Sequence, residues 1–235
     1  MSSSETTPNY TALKIRFAIR ETLGVVFLAL MLFLPSGRWD WVWGWLLVAI
    51  TFLWVLGTAY ILFTRSPDLI EERLGPVKGS KKWDGLIMGI VAMGTLARLL
   101  VAAFDFARGW SSGVPVWLQV LSAVAAALAY FLVVWATASN AFFSQIVRIQ
   151  EDKGHQVASG GPYRFVRHPA YVGTILFELF TPLMLGSWWA LIPGAFNAAL
   201  FITRTALEDK TLLAELPGYP EFAQETKYRL LPGLW

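Results

Sequence analysis

With 235 residues, 56% of them hydrophobic and only 15% charged, the chain falls well short of the roughly 25% charge of a soluble domain and reads as an integral membrane protein. It has no cysteine and only two histidines, His155 and His168. Disulfides, thiolate nucleophiles and Cys-ligated zinc or iron–sulfur clusters are excluded, and no metal site is expected.

The polar start MSSSETTPNYTALK leads into the first apolar run with no short hydrophobic core or small-residue cleavage site, so that run is expected to be retained as a span. Six runs approach the roughly 20 apolar residues needed to cross hydrocarbon, at about 18–35, 41–63, 85–104, 115–138, 170–185 and 188–203. The last two are short. The stretch LMLGSWWALIPG between them, a Gly-Ser turn among tryptophans, predicts a helical hairpin that barely reaches the far surface. In the third run, Gly85 and Gly89 stand at GxxxG spacing with Gly94 beyond, and the ordinary tolerance of membrane helices for glycine accounts for them without a close helix contact.

Basic residues are distributed unevenly. The connections at 36–40, 105–114 and 186–187 hold only Arg38 and Arg108. All the others except Arg98 fall in the N-terminus, the 64–84 loop, the 139–168 loop and the tail, which predicts that these four face the cytoplasm and that the spans are even in number. The chain thus divides into N-terminal membrane helices, 1–138, and a region, 139–235, that holds a polar loop, the hairpin and a tail. After Thr203 the tail predicts an amphipathic helix, RTALEDKTLLAEL, broken by PGYP and followed by a second short helix. The expected fold is an all-α integral membrane protein, with the lipid bilayer as its first partner and no nucleic-acid partner.

Chemistry concentrates at GGPYRFVRHPAYVG, residues 160–173. Pro169 suits the first position of a helix, where its missing N–H costs nothing. His168 then sits at the cap with Arg167 before it, beside free backbone N–H groups and the positive end of the helix dipole, which predicts an anion site. Tyr171 and Thr174 follow on one face, Gly173 leaves room for a close approach, and Tyr163 adds an aromatic edge or hydroxyl. A ligand with a carboxylate and a flat ring would fit, although a basic flank and an interfacial aromatic belt explain the same residues without a ligand. In the tail, Arg204 and Glu208 lie one helical turn apart with Asp209 on the adjoining face. A solvated helix start would look the same, but the short hairpin returns this acidic pair to the neighbourhood of His168.

The segment HQVASGGPYRFVRHPAYVG, followed by RTALEDKTLLAELPGYPEF, resembles the isoprenylcysteine carboxyl methyltransferase family of integral membrane enzymes and its bacterial relatives. The family pattern has a histidine, a small and hydroxyl-bearing turn, a tyrosine, R-H-P-x-Y-x-G, an acidic pair, a leucine and a G-x-Y turn. His155, Ser159, Gly161, Tyr163, Arg167, His168, Pro169, Tyr171, Gly173, Glu208, Asp209, Leu212, Gly218 and Tyr219 hold those places. The resemblance is strong over about 140–230 and weaker upstream, where RSPDLIEERLGPVKGSKKWD looks like the cytosolic loop of bacterial members. The chain departs from the pattern at Asp209, where a glutamate is usual, at Phe222, where a tyrosine is common, and at Pro217, which interrupts the tail helix.

The resemblance implies S-adenosyl-L-methionine as methyl donor, held by His155, Gln156, Val157, Gly161, Tyr163, Arg167, His168, Tyr171 and Asp209. It further implies Arg204 and Glu208 as catalytic residues on the acceptor side, with Asn140 and Gln145 lining the same cavity. The acceptor is then a lipophilic or small carboxylate or thiol, and the membrane is the bacterial inner membrane or, in a eukaryote, the endoplasmic reticulum. A membrane NADPH-dependent reductase of the sterol type is the enzymatic alternative, and a small transporter a more distant one. Glu178 and Arg98, ionisable groups at membrane depth, either lock the fifth span to the third or place Glu178 in an acceptor tunnel; the locked pair is the favoured reading.

Overall fold

The computed structural model describes residues 9–65, 67–74, 79–111 and 113–235. The segment 1–8 and Lys78 of the basic loop lie outside the described residues. Among the described residues eight α-helices form, α1 Tyr10–Ser36, α2 Val42–Thr64, α3 Asp68–Leu74, α4 Lys82–Arg108, α5 Val116–Ala138, α6 Pro169–Met184, α7 Leu191–Glu215 and α8 Tyr219–Glu225, and no strand appears. The chain is an all-α integral membrane protein.

Four of these helices, α1, α2, α4 and α5, are long and apolar enough to cross a membrane. α6, with 16 residues, spans only about 24 Å at 1.5 Å per residue. The hairpin nevertheless reaches the far end of the bundle. Asp105 at the end of α4 is buried, accepts from the Ser111 amide at 2.6 Å and from the hydroxyls of Ser111 and Ser187, while the Trp188 amide donates to Ser111 Oγ at 3.0 Å. These bonds tie the α6–α7 turn to the α4–α5 connection. Trp39, Trp45, Trp110, Trp188 and Trp189 are exposed at this end, where their amphipathic rings suit a membrane interface.

Two boundaries differ from the sequence reading. α1 starts at Tyr10, well before the apolar run, because Asn9 caps it by accepting from the Ala12 amide at 3.1 Å. α7 runs unbroken from the last apolar run through RTALEDKTLLAE, so the amphipathic tail helix is the continuation of that run. Its first half is apolar, and its second half carries the charged groups, of which Arg204 and Asp209 are buried. The short α3, packed on α1 and α2, has no counterpart in the sequence reading.

Small residues set the closest helix approaches. A Cβ on Gly173 would meet the Ala129 carbonyl of α5 at 2.5 Å, and one on Gly194 would meet the Glu178 carbonyl of α6 at 2.5 Å, so α6 is seated tightly between α5 and α7. A Cβ on Gly85 or Gly89 would meet nothing within 4 Å, whereas Gly94 faces the Asn197 side chain of α7. The GxxxG pair is therefore glycine on an open face, and the third glycine is the one in a close approach. Phe33, Trp41, Leu47, Leu99, Ala126, Phe177 and Met184 form the main core. Leu23, Phe27, Leu53, Leu128 and Phe131 are exposed in the isolated chain, as a lipid-facing surface requires.

Candidate functional site

The basic end of the bundle is organised by two buried carboxylates, each contributed by a helix and each answering an arginine. Asp209 of α7 is fully buried. Its Oδ1 accepts from Arg167 Nε at 2.8 Å, from the Tyr219 hydroxyl at 2.9 Å and from His168 Nε2 at 3.1 Å. Its Oδ2 accepts from Arg167 at 3.1 Å and from Arg229 Nε at 2.7 Å. Burial alone would raise the Asp209 carboxyl, but hydrogen bonds from His168, Arg167 and Arg229 hold it far below the usual carboxylate range. Arg167 NH1 donates to the carbonyls of Thr226 and Lys227 at 2.9 and 2.8 Å, and the Arg167 and His168 amides donate to the Tyr228 and Arg229 carbonyls. The C-terminal tail is thereby fastened to the segment before α6.

This lattice corrects the expectation of an open anion site. Arg167 and His168 do precede Pro169 at the head of α6, with His168 as the residue before the helix, but Asp209 already supplies the anion. His168 engages Asp209 through Nε2, and its ring lies against Tyr171, with centroids 5.8 Å apart.

The second carboxylate is Asp84, in the first turn of α4. It takes Arg204 Nε at 2.6 Å and Arg204 NH2 at 3.1 Å, and also accepts from the Val147 amide at 2.9 Å. Arg204 NH2 donates further to the Gln145 carbonyl at 2.8 Å, and the guanidinium lies 5.3 Å from the centre of the Tyr171 ring. The Tyr171 hydroxyl in turn donates to Glu208. Arg204 and Glu208, one helical turn apart, do not pair directly; each is held by a partner from another helix. Arg204 also lines a cavity at this end of the bundle.

Between these elements lies a cavity of about 380 Å³, within the range of small-molecule sites. Its walls include Trp54, Met88, Tyr130, Val133, Phe143 and Phe201 as apolar surface and Arg73, Gln145, Tyr163, Arg167, His168, Tyr171 and Arg204 as polar surface. Trp54 and Tyr130, stacked at 5.0 Å, also line an apolar groove of about 270 Å³ between α2 and α5, whose Leu53 and Phe131 are exposed on the lipid side.

Of the residues expected in the site, Gln145, Tyr163, Arg167, His168, Tyr171 and Arg204 line the cavity together. Tyr163 is buried, receives a hydrogen bond from Asn140 Nδ2 at 3.4 Å, and has its hydroxyl pushed above the ordinary value by burial. Asn140 stands behind it. Gly161 adopts φ +57° against Ser139, a backbone that favours glycine. His155 stacks on Phe142 at 4.8 Å, Val157 packs with Leu216 and Tyr219, and Gln156 is exposed; these three shape the loop beside the cavity and not its wall. Glu178 is displaced from the acceptor set: it sits 3.2 Å from Arg98 Nε and accepts from Asn197 at 3.1 Å, buried between α4, α6 and α7 and away from the cavity lining.

Sequence reasoning missed Asp84 and Arg73. Asp84 is an acid in the first turn of a span, which reads as an ordinary complement to the helix dipole; its partner lies 120 residues away. Arg73 reads as one of several basic loop residues, with no sign of its place in the cavity wall.

Fold and site define a class, a helical integral membrane protein with a ligand-sized cavity at one end of its bundle, walled by both apolar and cationic groups. Residues 119–214, from α5 to the end of α7, match the model of the Isoprenylcysteine carboxyl methyltransferase (ICMT) family. Over that region the chain is similar to this family. A curated relative, the Protein-S-isoprenylcysteine O-methyltransferase of Schizosaccharomyces pombe (strain 972 / ATCC 24843), is 41% identical over 46 residues, which cover 20% of this chain and 20% of that protein.

Proposed function

We propose that the protein is an S-adenosylmethionine-dependent methyltransferase that methylates a carboxylate or thiol on a lipophilic acceptor taken from the bilayer. The observation that carries this reading is the cavity, where the family segment supplies Tyr163, His168, Tyr171 and Arg204 to a space that abuts a lipid-facing groove through Trp54 and Tyr130.

The residues present suit the donor. Gln150 Oε1 is buried without a hydrogen-bond partner among the described residues, close to the Phe142–His155 ring pair, an acceptor and a stacking face for an aminopurine. His155, Gln156, Val157, Gly161 and Tyr163 form the loop that would hold it, with His168 and Tyr171 beneath and Asp209 fixing His168. When bound, the donor supplies an electrophilic methyl group on a cationic sulfonium. Arg204, immobilised by Asp84, faces an anionic acceptor, and Glu208, oriented by Tyr171, takes the proton when the acceptor is a thiol. Gln145 completes the acceptor wall, and Asn140 supports it from behind through Tyr163. Charge is lost as an anionic acceptor reacts with a cation, so apolar walls that exclude water favour the step, and positioning contributes more than a strong base.

In this reading both ends of the chain and the 64–84 loop face the cytoplasm. Ser80→Cys, the sole thiol in the protein, should then resist an impermeant maleimide in intact cells, and labelling from outside would overturn the orientation. The function is tested by calorimetric titration of the purified protein with S-adenosylhomocysteine. Saturable binding at one site that NADPH does not displace is expected; no binding would refute the proposal.

A further inference from the structure

Among the described residues, four arginines have buried side chains at the helix interfaces or in the cavity, and three of them face a buried carboxylate: Arg98 faces Glu178, Arg167 faces Asp209 and Arg204 faces Asp84. Arg73 is the fourth. It is 8% exposed, it lines the cavity, and its Nε is buried with no hydrogen-bond partner. No ion pair engages it among the described residues. The nearest acid that acts on it is Glu21, which is itself bonded to Arg20, while Arg20 also donates to the Arg73 carbonyl. The close company of its guanidinium among the described residues is the Phe143 ring, 5.9 Å away. Burial lowers the Arg73 pKa to about 10, yet it stays charged at neutral pH. A buried cation with no ion-pair partner among the described residues is costly, and a cavity that retains one suits a ligand that brings an anion.

The position of Arg73 indicates which ligand. α3 is anchored by Leu69 and Ile70 against Phe17 and Leu62, so Arg73 enters the cavity from the α1–α2–α3 side. The loop of His155 to Tyr163 and the α8 segment pack as a separate cluster around Tyr163, Leu216 and Tyr219. The cavity lies between the two. Arg73 also lies outside residues 119–214 that match the family model, in the N-terminal half of the chain.

We infer that Arg73 is the specificity residue for the methyl acceptor, holding the carboxylate of an amphiphile whose apolar part lies along Trp54 and Phe143. This rests on the methyltransferase reading and narrows it from carboxylate or thiol to carboxylate. In the reaction a carboxylate oxygen forms the new bond to the methyl carbon, the sulfur–methyl bond breaks, its electron pair stays on sulfur, and no proton moves. The ester formed is neutral, so Arg73 loses its counter-charge and the product is released in preference to substrate.

The test uses the full-length protein in detergent at pH 8, with thermal unfolding as readout and hexadecanoate, methyl hexadecanoate and S-adenosylhomocysteine as probes. Ligand-free Arg73→Met should unfold about 2–4 °C above wild type, because a buried charge without an ion-pair partner among the described residues has been removed. Hexadecanoate should stabilise wild type more than its methyl ester does, Arg73→Lys should keep part of that preference, and Arg73→Met should lose it while retaining the shift caused by S-adenosylhomocysteine. A lower unfolding temperature for Arg73→Met and Arg73→Gln would make the residue structural and overturn the inference, as would a carboxylate preference that survives in both. Loss of the S-adenosylhomocysteine shift in these variants would assign Arg73 to the donor and overturn the acceptor role. A wild type that S-adenosylhomocysteine does not stabilise would instead overturn the methyl-transfer reading on which that role rests.

Discussion

Replacing Asp209 by asparagine tests whether the arginine lattice is what fastens the tail over the cavity. Asparagine keeps one carbonyl oxygen but puts an N–H₂ group where the second carboxylate oxygen accepted from Arg167 at 3.1 Å and from Arg229 at 2.7 Å. Arg229 is 31% exposed in its side chain and can turn to solvent, whereas Arg167 at 7% cannot. The cost is therefore close to that of orphaning one buried cation, about 3–5 kcal/mol. For a chain of this size that lowers the unfolding temperature by about 6–20 °C, measured by differential scanning fluorimetry of the tryptophans in detergent. Arg167→Met combined with Asp209→Leu should recover part of the loss, since replacing both partners costs less than stranding one. The pH dependence carries the same information. The folded carboxyl is held well below its unfolded value, so its stabilisation is complete above the unfolded value of about 3.9 and is lost as pH falls below it. Wild type should lose stability on acidification below about pH 4, and Asp209→Asn should show a flatter profile there. An Asp209→Asn protein that unfolds with wild type, or strictly additive effects in the cycle, would refute the lattice argument.

Glu178→Gln should destabilise by about 3–5 kcal/mol by stranding Arg98, with Arg98→Met recovering part of it and S-adenosylhomocysteine affinity unchanged throughout; additive losses in thermal unfolding would remove the coupling. Gly94→Ala should cost about 1–3 kcal/mol because its methyl group would displace Asn197, which bonds Thr95 at 3.1 Å and Glu178 at 3.1 Å. Gly89→Ala, which meets nothing within 4 Å, should leave the unfolding temperature unchanged or raised, and equal losses in the two variants would contradict the packing described.

The membrane class, the paths of α1, α2, α4 and α5 and the hairpin of α6 and α7 were legible because hydrophobic length and Lys/Arg placement are local properties of a sequence. The head of α6 was legible for the same reason, since Pro169 marks the first helical position on its own. Pairing was not. Arg167, His168 and Asp209 each stand out in the sequence, but as separate ligands for a donor, because nothing local shows that Asp209 would satisfy both the others and Arg229 as well. Helical spacing assigns Arg204 to Glu208, while the fold brings in Asp84 from the start of α4 and gives Glu208 to Tyr171. Arg98 and Glu178 were the exception, since two lone charges at membrane depth leave few other partners. Arg73 illustrates the opposite limit: its significance lies in having no ion-pair partner among the described residues, which only the surrounding helices reveal.

Methyl transfer itself is the central claim, and the most direct measurement is to incubate membranes containing the protein with S-adenosylmethionine labelled in its methyl group, extract the lipids, and count the label. The account predicts labelled methyl in a lipid-soluble, base-labile ester, at a rate reduced at least about 100-fold by Arg204→Ala, the scale of losing one preorganised charged contact in a transition state. Label that never exceeds the level in membranes lacking the protein, or an Arg204→Ala variant as active as wild type, would contradict it.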